Sequence, residues 1–149
     1  SPFVSVIHND YRFDNVVLDP QDPLRIVGVL DWEMATIGDP LMDLGGALAY
    51  WVNRADPPPM QAIRMVPTHL EGMFTRSELI RRYAERMRIA VENVDFYYCF
   101  GLFRLAVIAQ QIYWRFYHGQ TKDERFNLMI VAVQVLEERA RQAIGRSAL

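Results

Sequence analysis

The sequence predicts an α+β, mainly helical fold: a short β-hairpin near the front of the chain, then a helical bundle. Three observations predict it. Short β-branched runs at 4–7, 16–18 and 26–30 surround the turn-forming stretch Asp19-Pro20-Gln21-Asp22-Pro23. Three long stretches behind them carry helix start and stop signals. Of the 149 residues 51% are hydrophobic, and a chain of this one-domain length buries roughly 68–70% of the surface it exposes when unfolded.

Taken in order, 4–7 reads as a strand, and 16–18 with 26–30 as the hairpin. Asp39-Pro40 gives an N-cap with proline at the first helical position, opening a helix to about residue 52. The pattern weakens over 53–75, where Pro57-Pro58-Pro59 forbids regular helix, so the stretch reads as a long loop or a mobile flap. Thr75 with Glu78 three residues on is a capping box, starting a helix to about residue 89. A helix over about 94–118 stops at Gly119, and another over about 123–144 stops at Gly145. Neither an internal repeat nor a low-complexity segment breaks the chain, which therefore reads as one unit over 1–149. Its front at 1–38 carries the chemistry and 39–149 is the helical part.

Composition excludes several classes. A net charge of −2 with 23% charged residues gives neither a nucleic-acid footprint nor a disordered chain. Cys99 is the single cysteine, which rules out an intramolecular disulfide and a multi-cysteine metal cage and fits a reducing compartment. The three histidines are too scattered for metal-ligand spacing. No apolar run approaches the roughly 20 residues of a membrane span, and no signal peptide opens the chain, so a cytoplasmic location is the default expectation.

The long helices speak mostly of packing. Over 94–118, Arg104, Gln111, Arg115 and His118 fall on one stripe while Phe96, Phe100, Phe103, Val107, Tyr113, Trp114 and Tyr117 cover most of the rest, so this helix is expected to be largely buried. Such an aromatic surface more often fills a core than lines a ligand pocket, and Cys99 fits a small core residue better than a nucleophile. In the last helix Phe126, Ile130, Val133, Leu136 and Ala140 make the inner face, and Glu137 with Arg141 supplies an i,i+4 pair.

The chemistry sits in His8-Asn9-Asp10-Tyr11-Arg12-Phe13-Asp14-Asn15 and, after the hairpin, Val29-Leu30-Asp31-Trp32-Glu33. If the strands pair symmetrically about Pro23, Leu18 faces Gly28, Val17 faces Val29, Val16 faces Leu30, and Asn15 faces Asp31. Opposed residues put Cβ atoms roughly 4.5–5.5 Å apart on one face. An amide oxygen and a carboxylate at that spacing suit Mg²⁺, which takes one or two protein oxygens and completes its octahedron with water and phosphate. Asp10, five residues before Asn15, reaches the same centre as a carboxylate base for an incoming hydroxyl. Arg12 could steady the charge spread over a transferring phosphoryl group. Singly, these residue types are ordinary turn formers and surface charges; together they describe a phosphoryl-transfer site.

The composite His8-x-Asp10-x-x-x-x-Asn15, Leu30-Asp31-Trp32-Glu33 and Gly38-Asp39-Pro40-x-x-Asp43-Leu44 resembles the catalytic core of the aminoglycoside phosphotransferase family, relatives of choline kinases and protein kinases. The match is close over 4–50; the rest fits a helical C-terminal lobe of suitable length. The segments around 14–19 and 29–36 look most like the branch related to kinase-like domains fused to acyl-CoA dehydrogenases. The resemblance implies that Asp10 is the catalytic aspartate, that Asn15 and Asp31 hold magnesium, that His8 steadies the catalytic loop, and that Arg12 stands where protein kinases carry a loop lysine. It also implies that Asp43 braces that loop from the following helix, whereas Asp39 is read as that helix's cap. Asn9 replaces the glycine usual between the histidine and the aspartate. No Gly-rich loop, strand lysine or pairing glutamate is present, Glu33 standing too close to Asp31 to be that glutamate.

These features lead to a definite expectation. A parent polypeptide transfers the γ-phosphoryl group of ATP, or another NTP, to a hydroxyl of a small molecule, with Mg²⁺ at Asn15 and Asp31. This chain is its C-terminal catalytic lobe, lacks the nucleotide-binding lobe, and is inactive or nearly so alone. Its partners are then the hydroxyl acceptor and that N-terminal lobe, with neither nucleic acid nor membrane. The alternative is a pseudo-kinase or helical interaction module whose exposed lobe interface binds a partner or a second copy. A metal-dependent phosphohydrolase is a weaker third, since it asks for more carboxylate or histidine ligands. The aromatic, mixed-charge helical part favours an acceptor less cationic or more apolar than an aminoglycoside.

Overall fold

The computed structural model of the chain describes residues 4–147. Two antiparallel ribbons form the front. β1 (Ser5–Ile7) pairs with β4 (Thr36–Gly38), Val6 opposite Ile37, and between them in sequence lies the hairpin of β2 (Val16–Leu18) and β3 (Ile26–Val29). β4 escaped the sequence reading because three residues are too few to show a period, and its partner strand is remote in sequence.

The hairpin forms, but its register differs from the symmetric one. Val16 faces Val29 and Val17 faces Gly28, with a bulge before Leu18 faces Ile26. Leu30 N–H donates to Asn15 O at 2.8 Å, so Asn15 lies opposite Leu30 rather than Asp31. The cause is the turn. Asp19 and Asp22 each accept a backbone N–H two residues on, from Gln21 and Leu24, and Asp19 N–H donates to Arg25 O at 2.9 Å, which centres the turn on Asp22 instead of Pro23. The bulge then takes up one residue of β3.

Helix α1 (Pro40–Tyr50) opens as expected, the Asp39 carboxylate accepting Leu41 N–H at 2.9 Å. The 53–75 stretch is neither a structureless loop nor a flap. It contains a short helix, α2 (Pro58–Ala62), with Pro58 at its first position, where the missing N–H has no helical partner to lose. Met60, Val66 and Thr68 are buried, and Thr68 Oγ1 donates to Val52 O at 3.0 Å. α3 (Arg76–Met87) starts on the full Thr75–Glu78 capping box. α4 (Val94–Tyr117) follows, and a 3₁₀ turn (Glu124–Leu128) leads into α5 (Met129–Arg146), which passes through Gly145 instead of stopping there.

The core lies where α1, α4 and α5 meet: Leu41, Leu44, Leu48, Ala49, Tyr97, Tyr98, Leu102 and Leu136, flanked by Leu79, Ile80 and Tyr83 of α3. Only one side of α4 enters it. Phe103 is 65% and Tyr117 72% exposed, and Phe96, Val107 and Trp114 are exposed too, so the expected burial of this helix fails for most of its aromatic surface. The side that does enter is set by glycine. A Cβ on Gly101 would meet the Gly45 carbonyl, and a Cβ on Gly45 would meet the Tyr97 carbonyl, so α1 and α4 cross backbone against backbone. Neither position has room for a methyl group.

Gly101→Ala is therefore expected to cost about 1–3 kcal/mol or more in chemical denaturation. Gly145→Ala, which points into open space within α5, is expected to gain up to about 0.5–1 kcal/mol. Equal effects of the two variants would contradict the close crossing.

Candidate active site

β1 delivers the loop that carries the chemistry, and α1 grips it from below. The Asp43 carboxylate accepts His8 N–H on Oδ2 and Asn9 N–H on Oδ1, both at 2.6 Å. His8 is 3% exposed. Its Nδ1 accepts Asp10 N–H at 3.2 Å and its Nε2 lies 2.7 Å from Leu30 O, a pair of partners that assigns the ring proton to Nε2. The Trp32 ring packs on the imidazole at 4.6 Å and donates its own Nε1–H to Val29 O. His8 thus links the loop before Asp10 to the residue before Asp31.

Asn9 adopts φ of 67°, the left-handed region that glycine enters freely and asparagine tolerates best among other residues. Asparagine at this position also adds a bond, Nδ2–H donating to Met34 O at 2.9 Å. The next residue, Asp10, has both carboxylate oxygens engaged. Oδ2 accepts Asn15 Nδ2–H at 3.0 Å and lies 3.4 Å from Arg12 Nε, while Oδ1 accepts the Tyr50 hydroxyl at 3.2 Å. Arg12 covers the Tyr50 ring at 5.2 Å and pairs with Asp14 at 3.5 Å, and its buried Nε has no hydrogen-bond partner among the described residues.

Asn15 is 6% exposed and spends its amide nitrogen on Asp10 O and Oδ2, and among the described residues its carbonyl oxygen takes no hydrogen bond. Asp31, also left-handed at φ of 64°, caps the 3₁₀ turn Trp32–Met34 by position and presents an exposed carboxylate with no hydrogen bond to another described residue. A non-glycine residue in that conformation marks a backbone held by its surroundings. One hard amide oxygen and one free carboxylate suit a divalent cation such as Mg²⁺, which shares its shell with phosphate and water. Among the described residues no cluster of three or more His, Cys, Asp or Glu side chains offers an alternative cage.

Asp39 stays with α1, its second oxygen accepting the Tyr97 hydroxyl at 2.7 Å. The sequence reading missed two residues that touch this centre. Tyr50 ends α1 with nothing in its neighbourhood to mark it, and Arg104 was assigned to a polar stripe of α4, yet its guanidinium donates to Asn9 O. An apolar cleft of about 400 Å³ opens beside the loop, with Tyr11, Phe13, Leu44, Trp51 and Tyr83 on its walls.

Burial, joined by the Asp10 charge, pushes the Tyr50 phenol up to about 12 from its ordinary 10.0. Its folded value lies above its unfolded one, so the stabilisation it brings is present below pH 10 and is lost as pH rises toward 12. In a spectrophotometric tyrosine titration, Tyr50→Phe should remove one of the latest-titrating tyrosines; loss of one that titrates near 10 would refute the contact.

Residues 1–73 match the family model described as "Phosphotransferase enzyme family". Over 146 residues the chain is 34% identical to acyl-CoA dehydrogenase family member 11 of Homo sapiens, covering 96% of this chain and 18% of that protein. It is 35% identical over 121 residues to family member 10 of Mus musculus, covering 80% of this chain and 11% of that one. The chain thus spans less than a fifth of these curated relatives. A solved structure of a candidate aminoglycoside phosphotransferase from Ralstonia eutropha JMP134 superposes with a TM-score of 0.76 at 28% identity, over 95% of this chain and 43% of that one. Among the described residues no helix is long and apolar enough to cross a membrane. By sequence over residues 1–73 and by fold over nearly its whole length, the chain is similar to phosphotransferases of this kind, and it has the helical C-terminal lobe of their kinase-like fold.

Proposed function

We propose that the protein carrying these residues is a small-molecule O-phosphotransferase, moving the γ-phosphoryl group of ATP or another NTP to an acceptor hydroxyl. What supports this most is the hydrogen-bonded unit of Asp10, Asn15, His8 and Leu30, which holds a carboxylate base against the Asn15 amide and ties it, through the His8 ring, to the residue before Asp31.

In this reading the acceptor hydroxyl replaces the Tyr50 hydroxyl on Asp10 Oδ1. As the acceptor oxygen bonds to the γ-phosphorus, its proton passes to Asp10 and the bond from phosphorus to the β–γ bridging oxygen breaks, releasing the nucleoside diphosphate. Arg12, with its buried Nε free of a hydrogen-bond partner, turns toward the phosphoryl oxygens. Asn15 Oδ1 and the Asp31 carboxylate hold Mg²⁺, which supplies neutralisation and orientation of the phosphates when bound. The covering loop and lysine on the nucleotide side are supplied by residues other than these 149.

Arg12 and Arg104 both act on the Tyr50 phenol through their positive charge, beside the larger negative influence of Asp10. The cleft next to the loop is walled by Tyr11, Phe13, Leu44, Trp51 and Tyr83, and that apolar lining favours an acceptor less cationic or more apolar than an aminoglycoside. A pseudo-kinase has no catalytic need for a carboxylate base and an amide oxygen in one hydrogen-bonded unit.

Two substitutions in the complete gene product test the assignment, read by NTP consumption across a panel of hydroxyl compounds. Asp10→Asn is expected to lower kcat by about 10²–10⁴ with the Mg²⁺ requirement intact. Asp31→Asn should raise the Mg²⁺ concentration needed for half-maximal rate by about tenfold or more. Unchanged turnover in Asp10→Asn would sink the proposal.

A further inference from the structure

The close crossing of α1 and α4 has its largest consequence three residues beyond Gly101. There Arg104 leaves α4 across Gly46, whose hypothetical Cβ would sit 3.9 Å from its Nη1, and its guanidinium arrives between two loops. Nη1 donates to Asn9 O, the carbonyl immediately before Asp10. Nη2 lies 3.6 Å from Met34 Sδ, on the 3₁₀ turn that Asp31 opens. Asn9 closes the ring by donating Nδ2–H to Met34 O at 2.9 Å. Asn9 and Asp31 are both left-handed, so each loop needs an outside hold to keep its shape.

We propose that Arg104 is a positioning residue: its planar fork locks the base-bearing loop to the metal-bearing loop and so sets Asp10 against Asp31. The inference rests on the phosphotransferase reading for its catalytic consequence, though the clamp itself is a statement about two loops. An arginine suits this task because it directs two donors at once along fixed vectors, which a lysine ammonium does not reproduce. Arg104 touches neither the base nor the metal ligands, so its effect passes through Asn9 and Met34.

The test compares wild type, Arg104→Met and Arg104→Lys in the complete gene product. Three readouts are taken: kcat with NTP, the dissociation constant for Mn²⁺ as a probe cation, and amide hydrogen exchange over 8–10, 31–34 and the α4–α5 core. Arg104→Met is expected to lower kcat and weaken Mn²⁺ binding by about 10–100-fold, the range for outer-shell partners of a metal site. Exchange should speed up at both loops and stay unchanged in the core. Arg104→Lys should restore part of each loss.

Full restoration by lysine would show that charge alone matters and would overturn the clamp, as would wild-type Mn²⁺ affinity and loop protection in Arg104→Met. If Arg104→Met does not fold, Asn9→Gly replaces it, keeping the left-handed backbone while deleting the bond to Met34; the clamp then requires faster exchange at 31–34. Asp31→Asn separates the two claims. If it binds Mn²⁺ like wild type, the metal assignment fails, and the exchange data decide the clamp by themselves.

Discussion

The Asp43 carboxylate accepts the N–H groups of His8 and Asn9, each at 2.6 Å, and through that interaction the helical core holds the loop of Asp10. Hydrogen bonds to a charged acceptor contribute about 1.5–3 kcal/mol each, and losing this one would leave two backbone donors unsatisfied in a partly buried place. Asp43 sits in the first turn of α1, where the helix dipole favours a negative charge. Once the two amides are fixed, the His8 ring can reach Leu30 O and Asn15 can reach Asp10. The order of dependence runs from core to brace to loop to carboxylates.

Packing around that brace explains why the helical part is more than a support. Glycine at 45 and 101 brings α4 close enough for Arg104 to act on the loop from above, while Asp43 acts from below. The segment after α1 is held by another device. Asp56 is ion-paired with Arg76 and, at 3.6 Å, with Arg139 of α5, and both arginines lie over the Tyr98 ring. A carboxylate this buried needs such partners, and removing either would leave an uncompensated charge inside the protein. Trp51 adds a bond from its indole to Phe74 O at 2.7 Å. A stretch that looks like a flap by composition is thereby tied at both ends.

Much of the site could be read directly because its signals are local. The Thr75–Glu78 box, the Asp39-Pro40 start and the hairpin's turn residues act within four positions along the chain. The spacing from His8 to Asn15 also survives into space, since one short 3₁₀ turn (Phe13–Asn15) carries Asn15 back to Asp10. Where reading failed, two local rules competed. Pro57-Pro58-Pro59 as a run forbids the interior of a helix, yet proline at a first turn costs nothing, and the helix starts at Pro58. The hairpin register turned on Asp19 and Asp22 capturing their own backbone, a contest that symmetric pairing ignores. On α4 hydrophobic types outnumber the polar ones, which points to a core, but type alone does not say which side meets α1 and α5.

The sequence by itself determined the element types, their caps, and the presence of base, amide and carboxylate within one short stretch. Tertiary structure decided which partners their side chains take and how the two loops are joined. The contacts responsible span 35 residues from Asp43 to His8, 40 from Tyr50 to Asp10 and 95 from Arg104 to Asn9. Local hydrogen bonding writes its signals into neighbouring residues. A side chain arriving from a distant helix depends on how closely two backbones can pack, and only the folded arrangement around Gly45 and Gly101 sets that distance.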